Sequence, residues 1–575
     1  MKCRLPWMLF CLATASPAAQ PLSPEEVNAA AARIDTAVAD VRRREEELHQ
    51  QRNRTAPSAL APQCGDDVFL RRVCVDLAGR LPKADEVRAF LADPGEDKRA
   101  RLIDRLVAES GAAEVRFFQI AEALRVKDRV GRKSQEPFIA WLREGAAKDM
   151  PYNELMAAML RAEGDVDDNP AAGMLRRDGG NMLRTSMELA DAFLGAQLYC
   201  THCHDHPYSN YTQRQSYEFA NCFYLSAVPA AAKVNQKPNT LLPGAVPVGR
   251  RSRDSSISPA KGVPLPLHYK YRNGKPGEVV APRYLPLDEG SPSNSASSFL
   301  GAPPARAAHL REGLVQWFTG PQNARFAQVG ALRQWQHLFG AFGYVSCFRD
   351  MDDAGEAYHD SGEMVGCDMP PTWSGLAWQG DVFDRDYIGA AVLAALGVEF
   401  KRCGYRTREF QRILARTQAY QRQAGPRDPL RAGPLNAPMV RRLPADVIWK
   451  AWTGWLPGDQ QVAVPQVPDD KHPLRLLGRG KREWSDESRT VISHQFTAFM
   501  MADPLLKNVA VSPKLAPAGG RAATRVENLF LDILGRFPLD AERTAALRHL
   551  SAHPKTGVVD LAWALLNTSE FLFQH

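Results

Sequence analysis

Several things are scarce in this chain, and each scarcity excludes something. Cysteine occurs ten times in 575 residues, too thinly for a disulfide-held scaffold, so the fold must rest on hydrophobic cores. No stretch of the mature chain approaches 18 uninterrupted apolar residues, so no membrane-spanning helix is expected. An excess of one charge is missing too. The 72 Lys+Arg face 65 Asp+Glu, a net +7, and the basic residues are scattered. Nucleic-acid binding wants a concentrated basic stripe, so that partner class is set aside. Arg42-Arg43-Arg44 runs straight into Glu45-Glu46-Glu47, which reads as a solvated helix face. The chain also lacks a P-loop, a G-x-S-x-G elbow, an H-E-x-x-H pair and a Rossmann fingerprint.

What is present begins with ordinary globular composition, 45% hydrophobic and 24% charged. The first 15 residues read as a secretory signal peptide: Lys2 and Arg4, a short apolar run from Leu5 to Ala13, then Ala13-Thr14-Ala15 as cleavage site. The mature protein is therefore expected to be exported, to the periplasm or beyond the cell. Setting aside Cys3 and Cys11 leaves Cys64, Cys74, Cys200, Cys203, Cys222, Cys347, Cys367 and Cys403. Their pairing cannot be read from spacing.

The pattern predicts a mainly α fold with two helical domains separated by a Pro/Ser-rich insertion that holds a small β-hairpin. Residues 23–62 are an N-terminal helix and linker. Ser23-Pro24-Glu25-Glu26 supplies an N-cap, a proline at the first helical position and first-turn acids, and the helix continues to about Gln51. The first helical domain covers 64–228, the insertion 229–305 and the second helical domain 306–575. Apolar residues at three-to-four spacing predict helices over 98–106, 138–147, 153–160 and 185–198. In the insertion, Leu267 to Tyr271 and Val279-Val280 flank Asn273-Gly274-Lys275-Pro276-Gly277 as a hairpin. One repeat stands out: Asp76-Leu77-Ala78-Gly79-Arg80-Leu81-Pro82 returns as Asp532-Ile533-Leu534-Gly535-Arg536-Phe537-Pro538, each followed by a glutamate, Glu86 or Glu542. It predicts a helical corner used twice, with glycine closing one helix and the arginine either pairing with the next helix's acid or capping carbonyls of the first.

The chemistry concentrates in Cys200-Thr201-His202-Cys203-His204-Asp205-His206-Pro207. Cys200-x-x-Cys203-His204 is the attachment pattern of haem c: two thiols one turn apart add to the two vinyl groups, and the adjoining His204 lies under the iron. Composition alone expects about 0.004 such matches in the chain. The function so implied is an exported redox or electron-transfer protein. A sixth ligand would come from afar, with Met182, Met187, His268, His309, His337 and Met351 as candidates. Two alternatives stay open. Cys200, His202, Cys203, His204 and His206 suffice for zinc, in a metal-binding or structural component of an exported assembly acting on complex substrates. A Cys200–Cys203 disulfide beside solvated histidines is the other. The acidic runs Asp165–Pro170 and Asp350–Gly355 fail the calcium-loop pattern at its sixth or twelfth position. Trp317, Trp335, Trp449 and Trp452 fall on apolar helix faces and read as core.

Phe69-Leu70-Arg71-Arg72, Asp76-Leu77-x-Gly79-Arg80-x-Pro82, and Phe193-Leu194-Gly195 leading into the cysteine motif and His-Asp-His-Pro together resemble a known family. It is a secreted, cytochrome-like family of planctomycetes and related bacteria that pairs the domains of unknown function 1549 and 1553. Leu314-x-x-Trp317-Phe318-Thr319, Trp335-x-x-Leu338-Phe339-Gly340 and Arg441-Arg442-Leu443 resemble its second domain. The sequence departs at Leu332-Arg333, where the family carries Asn-Arg, and at Thr201-His202 inside the motif. The resemblance implies a haem-bearing exported protein, with a redox partner or a secreted sulfatase-like protein as companion. It assigns no catalytic residue.

Overall fold

The computed structural model describes residues 21–51, 60–162, 166–178, 182–196, 198–202, 204–206, 211–224, 268–270, 276–279, 282–285, 307–340, 390–425, 437–457, 466–482, 494–517 and 519–574. Residues 1–20 with the expected signal peptide, Cys203, most of the insertion, and the stretch holding Cys347, the Asp350 loop, Met351 and Cys367 lie outside the described residues.

The protein is mainly α. Helices α1 (Pro24–Gln51), α2 (Asp66–Val73), α3 (Ala84–Ala92), α4 (Lys98–Val107), α5 (Ser110–Ala123), α6 (Glu136–Ala147), α7 (Tyr152–Arg161), α8 (Gly173–Arg176), α9 (Met182–Leu194) and α10 (Gln213–Tyr224) precede the insertion. Beyond it come α11 (Ala307–Thr319), α12 (Ala324–Phe339), α13 (Ala390–Arg402) and α14 (Thr407–Arg416). Last are α15 (Ala445–Trp455), α16 (Pro473–Leu476), α17 (His494–Ala502), α18 (Pro504–Ala510), α19 (Ala522–Ile533), α20 (Asp540–Ala552), α21 (Gly557–Leu566) and α22 (Ser569–Leu572). The strands form three two-stranded antiparallel pairs: β1 (Arg129–Val130) with β2 (Lys133–Ser134), β3 (His268–Lys270) with β4 (Pro276–Val279), and β5 (Arg441–Arg442) with β6 (Phe573–Gln574). The expected hairpin is thus β3–β4, except that Pro276 opens the second strand instead of sitting in the turn. A proline is tolerated at a strand's first residue, where its missing N–H costs least.

The long first helix starts as its sequence dictates. Glu26 N–H donates to Ser23 Oγ (3.2 Å) and Ser23 N–H to Glu26 Oε2 (2.7 Å), a reciprocal capping box. One face of α1 (Val27, Ala30, Ala31, Ile34, Val38) is buried against α13 and α14. Arg33 ties it there through the buried Glu399 at 2.7 Å. Two hydrophobic cores result. One draws on α1 through α14 on both sides of the insertion, and the other on Leu443 to Leu572 with Val75 and Leu81 reaching in. Trp335 and Trp452 are fully buried in these cores, and Trp317 and Trp449 pack on their edges.

The repeated motif builds the same corner twice. Gly79 (φ 63°) and Gly535 (φ 74°) take the left-handed conformation that ends a helix. Arg80 grips Glu86 (2.8 Å) and Glu109 (2.9 Å); Arg536 grips Glu542 (2.7 Å) and Glu570 (2.5 Å). Each arginine also donates to the carbonyl of the next residue, Leu81 or Phe537. The copies differ in one respect: Cys74–Ala78 winds as a π-helix, whereas α19 stays α-helical to Ile533. The wider turn accompanies Asp76, 2% exposed, whose carboxylate accepts from Tyr420 Oη (2.7 Å) and Arg441 Nη2 (2.6 Å).

Candidate functional site

The site is the loop between α9 and α10. The spacing predicted helix up to Leu198, but α9 stops at Leu194 because Gly195 turns left-handed at φ 59°. Gly195 N–H then bonds Asp191 O (3.2 Å) and Ala196 N–H reaches Ala190 O (3.0 Å), which closes the helix. Arg333 on α12 donates Nε to Ala192 O (2.6 Å) and holds that end down, while Leu332 beside it is core.

Past the buried Leu198, Cys200–His202 forms a single tight turn, and His204 N–H bonds Cys200 O (3.3 Å). His204 therefore stands one turn after Cys200. Thr201 points inward and is fully buried; its hydroxyl donates to Leu198 O (2.5 Å) and meets Ser216 Oγ (2.5 Å) on α10. The rest of the loop rests on the first turn of α10. Thr212 and Gln215 cap that helix reciprocally (Thr212 N–H to Gln215 Oε1 at 2.8 Å, Gln215 N–H to Thr212 Oγ1 at 3.2 Å). Gln213 clamps from both ends: its backbone N–H donates to Asp205 Oδ1 (2.7 Å) and its side-chain amide to His202 O (3.0 Å). Tyr217 Oη donates to the same His202 carbonyl at 3.3 Å.

Cys200 and His206 are half-buried, and His202, His204 and Asp205 are exposed. His204 Nδ1 lies 2.6 Å from Asp205 O. A carbonyl oxygen only accepts, so Nδ1 carries a proton, and the neutral ring in this tautomer presents its lone pair at Nε2. Burial, and secondarily the neighbouring His204, pulls the His206 pKa below its usual range. That favours a neutral ring at pH 7. Of the distant ligand candidates, Met187 is buried in α9. His337 is half-buried on α12 with Nε2 donating to Asp76 O (2.8 Å). The side chains of Met182, His268 and His309, and all of Met351, lie outside the described residues. Among the described residues no three His, Cys, Asp or Glu side chains form a metal-holding group.

Glu188 on α9, the helix before the loop, belongs to a buried charge cluster that no spacing in the sequence announced. Arg125, at φ 54° and 2% exposed, binds Asp178 (2.6 Å) and Glu188 (2.9 Å). Arg177 and Thr185 also reach Asp178, at 3.0 and 3.1 Å. Burial would raise the Asp178 pKa, but Arg177 and Arg125 override it and hold the carboxyl far below the usual range. Glu188 is shifted upward by its burial. The available signal was a glutamate set among Met187, Leu189 and Ala190 on a helix with a buried face. Cys64, Cys74, Cys222 and Cys403 are buried free thiols, and burial pushes the last three well above the usual thiol range. They are inert by that criterion.

Residues 46–227 match the family model PSCyt2, protein of unknown function (DUF1549). The DUF1549 segment thus begins within α1, contains both cysteines of the motif and His204, and ends just after α10. No curated protein and no solved structure matches the chain. Among the described residues no helix is long and apolar enough to cross a membrane.

Proposed function

We propose that the protein is an exported redox protein carrying one covalently attached haem c, a member of the cytochrome-like family that pairs DUF1549 with DUF1553. Cys200 and Cys203 would form the two thioethers and His204 would hold the iron. The observation that carries this reading is the His204 ring, whose Nδ1 is committed to the Asp205 carbonyl at 2.6 Å while the ring is exposed. A proximal histidine needs that arrangement, because the hydrogen bond fixes the tautomer and raises the basicity of Nε2. The half-buried Cys200, one turn before His204, belongs to the same donor set, so the residues present fit the group.

Bound haem c supplies one-electron chemistry whose potential the protein tunes through ligation, hydrogen bonding and burial. The chain's own contribution is positioning. Gln213, Ser216 and Tyr217 hold the loop on α10, so His204 and Cys200 are presented from a fixed turn. His206 lies two residues on with its N–H bonded to Tyr211 O (2.9 Å), and acts as an outer group, not as a ligand. The partner is a redox protein or a secreted sulfatase-like protein. Metal analysis of protein matured in a periplasm with haem-c attachment machinery tests the reading. One iron per chain is expected; one zinc per chain, or no metal, contradicts it.

A further inference from the structure

We infer that one small monovalent anion of the halide class binds between Arg71 and Arg72, where α2 meets α19, α22 and β6. The inference is independent of the haem reading. Both side chains are buried, at 4% and 1% exposure. Arg71 spends Nη1 on Ile533 O (3.0 Å) and Nη2 on the carbonyls of Glu570 (3.2 Å) and Phe571 (2.8 Å). Arg72 spends only Nη1, on the carbonyls of Tyr420 (2.6 Å) and Arg422 (2.7 Å). That leaves Arg71 Nε and Arg72 Nε and Nη2 buried without a partner among the described residues. Neither guanidinium forms an ion pair with a described carboxylate.

Both arginines line one cavity of about 20 Å³, room for a single water- or halide-sized particle. Two carboxylates share its lining, and Glu570 also acts on Arg71 through space. Glu570 gives both oxygens to Arg536 (2.5 and 2.8 Å), and Asp67 turns its carboxylate back over Gly65. An arginine does not escape burial by releasing its proton. Burial brings Arg71 down only to about 10, so it stays charged at neutral pH. Arg72, buried with Nε and Nη2 unpartnered, calls for a counter-charge and not merely an acceptor. A halide supplies both; sulfate or phosphate is too large for the space. The rival occupant is water, which would use the unpartnered Gln574 Oε1 as its acceptor. Gln574 Nε2 already donates to Arg72 O (3.2 Å), so an anion here would tie β6 to α2 and join the two cores.

The test is a crystal of the full mature chain soaked in sodium bromide. An anomalous bromide peak in the cavity beside Arg72 is expected; water-like density with no anomalous signal there overturns the inference. In solution, the wild type should melt about 3 °C or more higher in sodium chloride than in sodium gluconate at equal ionic strength. Arg72→Met should abolish that difference. Equal melting of the wild type in both salts, or a variant that keeps the chloride effect, overturns the inference. If Arg72→Met does not fold, the bromide map and the wild-type salt comparison decide the question.

Discussion

Thr201→Val tests how the cysteine–histidine loop is held. Thr201 is fully buried and its hydroxyl proton goes to Leu198 O, so Ser216 must donate to Thr201 Oγ1 at 2.5 Å. Valine keeps the shape and removes both bonds. Leu198 O retains the Thr201 backbone N–H at 3.2 Å. The Ser216 hydroxyl, fully buried, is left with no acceptor from the loop. An orphaned buried hydroxyl costs about 1–3 kcal/mol, and the lost bond to Leu198 adds about 1 kcal/mol. Thr201→Val should therefore destabilise by roughly 2–4 kcal/mol. Ser216→Ala removes a donor but leaves Thr201 its acceptor, and should cost about 1 kcal/mol. The double variant has no orphan, so it should be less destabilised than the sum of the singles by roughly 1 kcal/mol. Urea unfolding followed by circular dichroism on the three variants measures this cycle. A Thr201→Val midpoint equal to wild type, or strict additivity, would refute the buried hydroxyl relay.

Gly79→Ala should cost roughly 2–4 kcal/mol, since a Cβ there meets Val115 Cγ2 at 2.7 Å on top of the positive φ. Gly535→Ala, where the nearest atom is Pro82 Cγ at 3.1 Å, should cost less; thermal melts that reverse the order would refute this reading of the corners. Glu86 sits at 13% exposure, and although burial alone would raise its pKa, the hydrogen bonds from Arg80 and Arg105 bring it down to about 2. A carboxyl lowered in the fold stabilises above its unfolded value near 4.5, and that stability fades as pH falls from 4.5 toward 2. After solvent screening the contribution is roughly 2 kcal/mol, so Glu86→Gln should flatten the acid limb of a stability–pH profile, and an unchanged limb would contradict it. For the site, His204→Ala should lose the axial-ligand spectrum of the matured protein while His206→Ala keeps its Soret band; equal loss in both would favour a shared metal cluster.

Much of the fold was legible because its signals are local. Ser23-Pro24-Glu25-Glu26 specified a cap, three-to-four spacing specified α4, α6 and α7, and the Gly-Arg-x-Pro repeat specified two corners whose arginines take the first of their two expected roles, pairing with Glu86 and Glu542. What escaped was set by residues far away in sequence. The π-helix at Cys74–Ala78 accompanies Asp76 and a Tyr420 partner 344 positions later. The Arg125–Asp178–Glu188 cluster joins residues 53 and 63 positions apart, with no short local spacing. At the site, the candidate ligands were legible from Cys200-x-x-Cys203-His204, but the residues that hold their loop were not. Gln213, Ser216 and Tyr217 look like ordinary helix residues until α10 is placed under the loop; only the Thr212-x-x-Gln215 capping pattern was there to be read.

The central claim is covalent attachment through both thiols, and mass spectrometry of the proteolytic peptide spanning Cys200 to His204 tests it most directly. Protein matured in a periplasm with the haem-c machinery should yield that peptide one haem heavier, with neither thiol open to alkylation after denaturation. A peptide of unmodified mass, with both thiols alkylated or joined to each other while a control cytochrome matures normally, would contradict the account.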